Sequence, residues 1–384
     1  MQFDIATPQR ILFGPGRARE VPALAAQFGG RVFLVTGEFE LPGLDMALAL
    51  EAGGLEVVRF AVKDEPSIPL IADGVERARG AGCDVVVGLG GGSVIDAGKA
   101  VSALLTNGGE LFAYLEVVGQ GRPLVNTAAP YVAVPTTAGT GSEVTRNSVI
   151  ASPEHRVKAS LRSPLMIPRV AVVDPDLTCS VPPEVTASTG MDALTQLIEP
   201  FVCARANPMT DALCREGIRR AARSLPRAYA DGRDRGARED MAVASLFGGI
   251  ALANAGLGAV HGFAAPIGGM FRAPHGAVCA RLLPFVFEVN IRALARRGAS
   301  ADALRRFDEA AALLTGDQSA AAHDGIQWLY RLLGDLCVAP LSRFGLVSAD
   351  VPSVVAHARK ASSMQANPIE LTDEELTEIL TRAI

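Results

Sequence analysis

The sequence predicts an α/β amino-terminal domain built on a parallel sheet, followed by an all-α carboxy-terminal domain. Three observations carry this. A chain of 384 residues exceeds what one hydrophobic core usually organises, so two domains are expected. Its first half alternates short β-branched runs with helix-length segments, the pattern of a parallel sheet covered on both faces. After Asp174-Pro175 the extended runs largely cease and Ala/Leu/Arg-rich segments take over.

The strands follow in order. "RVFLVTG" (31–37), "GLEVVRFAV" (54–62), "CDVVVGLG" (83–90), "YVAVP" (131–135) and "RVAVVDP" (169–175) are apolar, β-branched and ended by Gly or Pro, as buried strands require. Between them "IPLIADGVERARGAG" (68–82) has helical apolar spacing. The Pro-containing "DPDLTCSVPPE" places the domain boundary near residue 177, giving domains 1–177 and 178–384. Beyond it, "ALCREGIRRAARSL", "ADALRRFDEAAALL" and "AAHDGIQWLYRLLGDL" read as helices, and the last helix opens with a capping box, Thr372 and Glu375.

Composition removes several function classes. With 49% hydrophobic and 20% charged residues the chain buries sizeable cores and is not disordered. A net charge of −5 gives no general attraction for nucleic acid or anionic lipid, so neither partner is expected. The start "MQFDIATPQR" lacks the apolar core of a secretory segment. The stretch from Met241 to Phe271 is uncharged, yet it is dense in glycine and carries Asn254, His261 and Pro266, which fits a tightly packed interior better than a membrane span. The six cysteines are dispersed without a CxxC spacing, consistent with a reducing cytoplasm and with buried cysteines acting as small hydrophobes.

Four stretches carry chemistry. "DVVVGLGGGSVIDAGKAVSALL" reads as strand, glycine loop and helix. Backbone N–H groups at such a loop approach an anion closely and the helix start favours negative charge. Ser93 breaks the GxGxxG spacing, and Ser93 with Ala100 breaks the Walker pattern, so a kinase or NTPase loses support; a plain tight turn stays open as a reading. "TTAGTGSEVTRNS" (136–148) follows the strand "YVAVP", at the end of a sheet where ligands usually sit. In "TASTGMDALTQLIEP" Asp192 and Gln196 lie four apart. They share a helix face either as a stabilising pair, with Thr189 capping and Pro200 ending the helix, or as metal ligands. "AVHGFAAPIGGMFRAPHGAVCA" adds His261 and His275, and two imidazoles with a carboxylate make a three-ligand site with an open position.

Taken together, "GGGSVIDAGKA", "PTTAGTGSEVT", "TGMDALTQLIE" and "HGFAAPIGGMFRAPHG", with "ANPIELTDEELTEIL" at the end, resemble the iron-containing (group III) alcohol dehydrogenases of the dehydroquinate-synthase-like superfamily. The resemblance implies a Rossmann-like dinucleotide-binding domain, a helical metal- and substrate-binding domain, and a metal in the cleft between them. By that resemblance Gly37, Gly91, Gly92, Ser93, Asp96, Thr136, Thr137, Ser142 and Lys158 bind NAD(P), and Asp192, Gln196, His261 and His275 hold a divalent metal, Fe2+ or Zn2+. Asp192, His261 and His275 are then the catalytic residues, acting on a small alcohol or aldehyde, in a cytoplasmic homo-oligomer, a dimer.

Three positions depart from the pattern. Gln196 stands where the fourth metal ligand is usually histidine, and an amide oxygen is the weaker donor. Ala265 stands where many relatives carry a further histidine. Gly37 stands where many place an acid that repels a 2′-phosphate, so NADP(H) is expected to be tolerated, with Glu38 a partial substitute. These departures keep three alternatives in view: a metal-independent maleylacetate-type reductase, a dehydroquinate-synthase-like lyase, for which Arg272 is the one basic residue in the second-half motif, and a nucleotide-binding protein with a decayed site.

Overall fold

A computed structural model describes residues 2–38, 43–155, 157–298 and 301–384. They form two compact units: an α/β unit of Ala6–Thr137 with Gly141–Ser180, and a helical unit of Val181–Ile384 joined by Ala138–Thr140 and the amino-terminal residues up to Ile5.

The α/β unit runs β1 (Arg10–Phe13), α1 (Val21–Ala25), β2 (Arg31–Thr36), α2 (Met46–Ala52), β3 (Glu56–Ala61), α3 (Ile68–Gly80), β4 (Val85–Gly90), α4 (Gly92–Thr106), β5 (Tyr131–Pro135), β6 (Asn147–Ser152), β7 (Val157–Arg162) and β8 (Val170–Val173). Six strands make one sheet in the order β1-β8-β5-β4-β2-β3, and every pairing is parallel. The β-branched runs explain why both faces are covered. Phe33, Val35, Val86, Tyr131 and Ala133 point into one core with α3 and α4. Val32, Leu34, Val85, Val87, Val132 and Val134 point into the other with α1 and α2, the alternation a pleated strand imposes. Chain order reverses between β2 and β4, so the crevice at their carboxyl ends, flanked by Gly37 and Gly91, is the topological switch point where open α/β sheets bind ligands.

Two features escape the sequence pattern. β1 is only four residues, "RILF", paired with the edge of β8. The antiparallel hairpin β6–β7 begins at the end of the 136–148 loop and runs through residues to which the sequence assigns no element, because its buried positions alternate with more exposed ones instead of forming a continuous apolar run.

The helical unit comprises α5 (Pro183–Val202), α6 (Pro208–Ala230), α7 (Arg235–Asn254), α8 (Ala259–Phe271), α9 (His275–Arg296), α10 (Ala301–Thr315), α11 (Ala322–Asp335), α12 (Val351–Ala358) and α13 (Asp373–Ala383). The final helix carries the expected Thr372/Glu375 capping box. Helix α5 differs from its sequence reading: it starts at Pro183, so Thr189 lies inside it and donates its hydroxyl to Val185 O at 2.8 Å instead of capping, and Pro200 sits within the last turn. The uncharged stretch 241–271 spans the end of α7 and all of α8, two helices bent by 96°. Among the described residues no single helix is long and apolar enough to cross a membrane.

Candidate metal and cofactor sites

The metal-site candidates lie on three helices of one unit. Asp192, Gln196 and Glu199 occupy successive turns on one face of α5, the 0/4/7 spacing that stacks side chains. His261 stands in the first turn of α8, and His275 opens α9. Asp192 Oδ1 is 3.5 Å from His261 Nε2 and 3.5 Å from His275 Nε2. A fourth donor joins them: Cys279, one turn beyond His275 on α9, puts Sγ 3.7 Å from His275 Nε2 and 3.9 Å from His261 Nε2. One atom from each of the four lies within 4.8 Å of all the others. Asp192, His261 and Cys279 are buried, while 36% of the His275 side chain is accessible, so the cluster is open on one side.

These residues fit a cation. The amide oxygen Gln196 Oε1 is buried without a hydrogen-bond partner among the described residues, a cost of about 1–3 kcal/mol, and the buried carboxylate oxygen Asp192 Oδ1 makes no hydrogen bond, with the two imidazole nitrogens at 3.5 Å. Gln196 Nε2 donates to Gly139 O at 3.3 Å, which fixes the amide with its oxygen as the open end. Burial alone would raise the Asp192 pKa, but the neighbouring imidazoles of His275 and His261 hold it below the usual carboxylate range. Burial would likewise lower His261, yet Cys279, Glu199 and Asp192 around it raise it well above the ordinary imidazole value. Burial pushes the Cys279 thiol up to about 12.

Glu199, unremarked in the sequence reading, orients the site. Its Oε2 is 2.6 Å from His261 Nδ1 and its Oε1 accepts from Val260 N at 2.7 Å. A carboxylate on Nδ1 turns the Nε2 lone pair toward a metal. Asn367 Oδ1 accepts from Ala259 N at 3.1 Å, so the first-turn donors of α8 are capped by two side chains brought from α5 and from the carboxy-terminal motif "ANPIELT". Gly258 makes room for them: a Cβ there would lie 2.9 Å from both Asn367 Oδ1 and Glu199 Oε1. Ala265, one turn after His261 on α8, places a methyl group where an imidazole would extend the polar face.

In the α/β unit the two polar loops meet. Thr136 N donates to Gly90 O at 3.0 Å, and a Cβ on Gly91 would lie 3.4 Å from the Thr137 side chain. Gly91 caps α4 in extended backbone, and Gly92 and Ser93 form its first turn, leaving N–H groups directed at the crevice beside β2. Asp96, Ser142 and Lys158 are tied into the protein. Asp96 accepts from the Ser142 hydroxyl, and from Val149 N at 3.0 Å; burial raises its pKa against the pull of Lys99. Lys158 pairs with Glu65 at 2.5 Å. Glu38, next to Gly37, pairs with exposed Lys63 at 2.7 Å.

Lys99, also unremarked, holds this region together. It is fully buried, and its Nζ donates to Ser142 O (2.6 Å), Ser142 Oγ (2.9 Å), Thr145 Oγ1 (2.9 Å) and Asn147 O (2.7 Å). Burial pushes its pKa down to about 8. No disulfide joins the six cysteines; Cys203, Cys214 and Cys279 are buried, whereas Cys83 and Cys179 are partly accessible and Cys337 is exposed.

Comparison with known proteins follows the same division. Residues 8–175 match the family described as iron-containing alcohol dehydrogenase, and residues 186–384 match the carboxy-terminal domain of the Fe-containing alcohol dehydrogenase family. The chain is 36% identical to 1,3-propanediol dehydrogenase from Citrobacter freundii, over 99% of this chain and 98% of that protein. It is 32% identical to NAD-dependent methanol dehydrogenase from Bacillus methanolicus, over 98% of each. The crystal structure of a 1,3-propanediol oxidoreductase superposes with a TM-score of 0.90 at 35% identity, covering 100% of both chains.

Proposed function

This chain belongs to the iron-containing alcohol dehydrogenase family, and we propose that it interconverts a small alcohol and its aldehyde or ketone by hydride transfer to or from NAD(P). The observation that carries this is the convergence of Asp192, His261 and His275 donor atoms around one point, where the buried carboxylate oxygen makes no hydrogen bond.

Family members use NAD(P) and a divalent metal. Here Asp192, His261 and His275 hold the cation, Fe2+ or Zn2+, with Gln196 Oε1 as a further oxygen donor. When bound, the cation supplies Lewis-acid polarisation of the substrate oxygen, and the nicotinamide supplies the carbon that gives or takes hydride. Glu199 keeps the proton of His261 on Nδ1 so that Nε2 faces the cation. Gly91, Gly92 and Ser93 bind pyrophosphate at the start of α4. Gly37, Thr136 and Thr137 line the same crevice, and Asp96, Ser142 and Lys158 act by fixing the loops around it. Ala265 offers no proton carrier, so the alcohol proton leaves through water. Gly37 lacks the charge that would repel a 2′-phosphate, which supports use of NADP(H) as well as NAD(H).

The division of roles follows residues 1–177 for the dinucleotide and 178–384 for metal and substrate. The six cysteines, joined by no disulfide, support a cytoplasmic setting, and the working form is a homodimer, to be measured by light scattering.

The test is turnover of short alcohols and aldehydes with NAD(P) after loading with Zn2+ or Fe2+. Activity that disappears with chelator and returns with metal is expected, and His275→Ala is expected to lose both metal and turnover. Full activity of metal-free protein would reject the ligand assignment and favour the metal-independent reductase. Tight NAD(P)H binding without any turnover would point to a decayed site.

A further inference from the structure

We propose that Cys279 is a metal ligand, so that the cation is held by Asp192, His261, His275 and Cys279, with sulfur supplying the donor that histidine would supply at position 196. The inference rests on the metal-assisted reading above and concerns which donors hold the ion.

The spacing is that of a four-donor site slightly wider than a bound ion would set, with the accessible His275 side left open for the substrate oxygen as a further ligand. With metal–nitrogen or metal–oxygen bonds near 2.0–2.1 Å and a metal–sulfur bond near 2.3 Å, tetrahedral angles separate N/O donor pairs by about 3.4 Å and N/S pairs by about 3.6 Å. Asp192 Oδ1 stands 3.5 Å from each imidazole nitrogen, and Cys279 Sγ stands 3.7 and 3.9 Å from the same two nitrogens. The two remaining pairs, His261 with His275 and Asp192 with Cys279, lie within 4.8 Å, so side-chain adjustments on the order of 1 Å or less complete the set. Sulfur arrives there for a local reason: His275 and Cys279 are four apart on α9, so one helix face delivers both.

Among the described residues, the polar groups within hydrogen-bonding reach of Cys279 Sγ are those of the proposed site itself. Its neighbours are the two imidazoles and the Asp192 carboxylate, all of them donors to a cation. A thiol inside a ring of three metal-binding side chains is placed as a ligand. On binding, the Cys279 S–H bond breaks, its proton passes to solvent and an Sγ–metal bond forms, with no change of oxidation state. A thiolate among nitrogen and oxygen donors shifts preference toward zinc over the harder requirements of ferrous iron.

The test uses the full-length protein substituted with Co2+, whose thiolate complexes absorb by charge transfer in the near ultraviolet. Wild type is expected to show this band and Cys279→Ser to lack it. When Zn2+ and Fe2+ are supplied equally, wild type is expected to retain zinc. Zinc affinity in Cys279→Ser should fall by more than the roughly 10- to 100-fold lost on removing an outer hydrogen-bond partner of a ligand. The double variant Cys279→Ser/Gln196→His should regain retention without regaining the band, which separates ligand loss from misfolding. Cobalt bound by wild type without the band, or a band that persists in Cys279→Ser, overturns the thiolate assignment and leaves the dehydrogenase reading standing. Failure of wild type to hold zinc, iron or cobalt overturns both.

Discussion

At the scale of single residues, the metal site is decided by which side chains are left unpaired and which are pinned. Asp192 and Gln196 each keep a buried oxygen open, whereas Glu199, two turns along the same helix, spends both oxygens on His261 and Val260. Removing the Glu199 charge by Glu199→Gln preserves shape and the capping acceptor for Val260, but weakens the hold on the His261 tautomer. The expected outcome is a drop of about 10- to 100-fold in metal affinity, measured by competition with a chromogenic chelator, with thermal unfolding of the metal-free protein little changed. Lys99 makes the opposite case, a buried cation whose three N–H groups are shared among four oxygens of the 142–147 segment, with the Asp96 carboxylate at 3.7 Å, so that its removal leaves that carboxylate without its cation. Lys99→Met should therefore cost about 3–5 kcal/mol in urea unfolding, the range for breaking one side of a buried charged cluster.

At the scale of elements, the helix after the glycine loop shows packing overruling propensity. Gly98 lies inside α4, where Ala would normally gain about 1 kcal/mol. A Cβ at that position would sit 2.7 Å from Tyr131 Oη and 2.9 Å from its ring, and Gly88 on β4 leaves the opposite side of the same slot. Tyr131 fills it and donates to Ile95 O at 3.0 Å. Overpacking of about 1–3 kcal/mol together with a strained hydrogen bond outweighs the propensity gain, so Gly98→Ala should lower stability by about 1–2 kcal/mol in denaturant titration. Helices α6 and α7 are joined by Asp240, whose carboxylate accepts from Arg220, Arg223 and Ser224. Burial would raise its pKa, but the arginines and the serine hydroxyl hold it below the usual value. A depressed carboxylate stabilises the fold above its unfolded pKa of about 3.9, and the contribution disappears as pH falls through the lower folded value. The stability gap between wild type and Asp240→Asn should accordingly be present at neutral pH and shrink as the pH drops below about 4, measured by urea unfolding across that range.

At the scale of the whole molecule, the proposed metal binding links to folding, because the candidate donors on α5, α8 and α9 come from three separate helices. An ion present at about 100 times its dissociation constant adds about 2.7 kcal/mol. Chelation should lower the calorimetric transition by several degrees, given roughly 2–4 °C per kcal/mol for units of this size, and re-addition of Zn2+ should restore it. An unchanged transition would mean that no ion is held by the native fold.

Much of this was legible along the chain. The five β-branched runs became the parallel strands β2, β3, β4, β5 and β8; β2, β4, β5 and β8 are covered on both faces as continuous apolar stretches require, whereas β3, with Glu56 and Arg59, is the partly exposed edge of the sheet. Asp192, His261 and His275 stand out in sequence by residue type and by the motifs that frame them. Glu199 and Cys279 do not, since a glutamate in a helix and a dispersed cysteine look like a solvated charge and a small core residue. β1 and the β6–β7 hairpin were hidden because a four-residue edge strand and an alternating polar hairpin carry too little apolar signal. The sequence by itself determined local periodicity, the two-part architecture and the family, all set by neighbours along the chain. Only the tertiary structure decided that a carboxylate on α5, an imidazole on α8 and an imidazole and a thiol on α9 share one point. Distances between side chains separated by up to 87 positions depend on how helices pack, and helix packing is a sum over many weak contacts that no motif records.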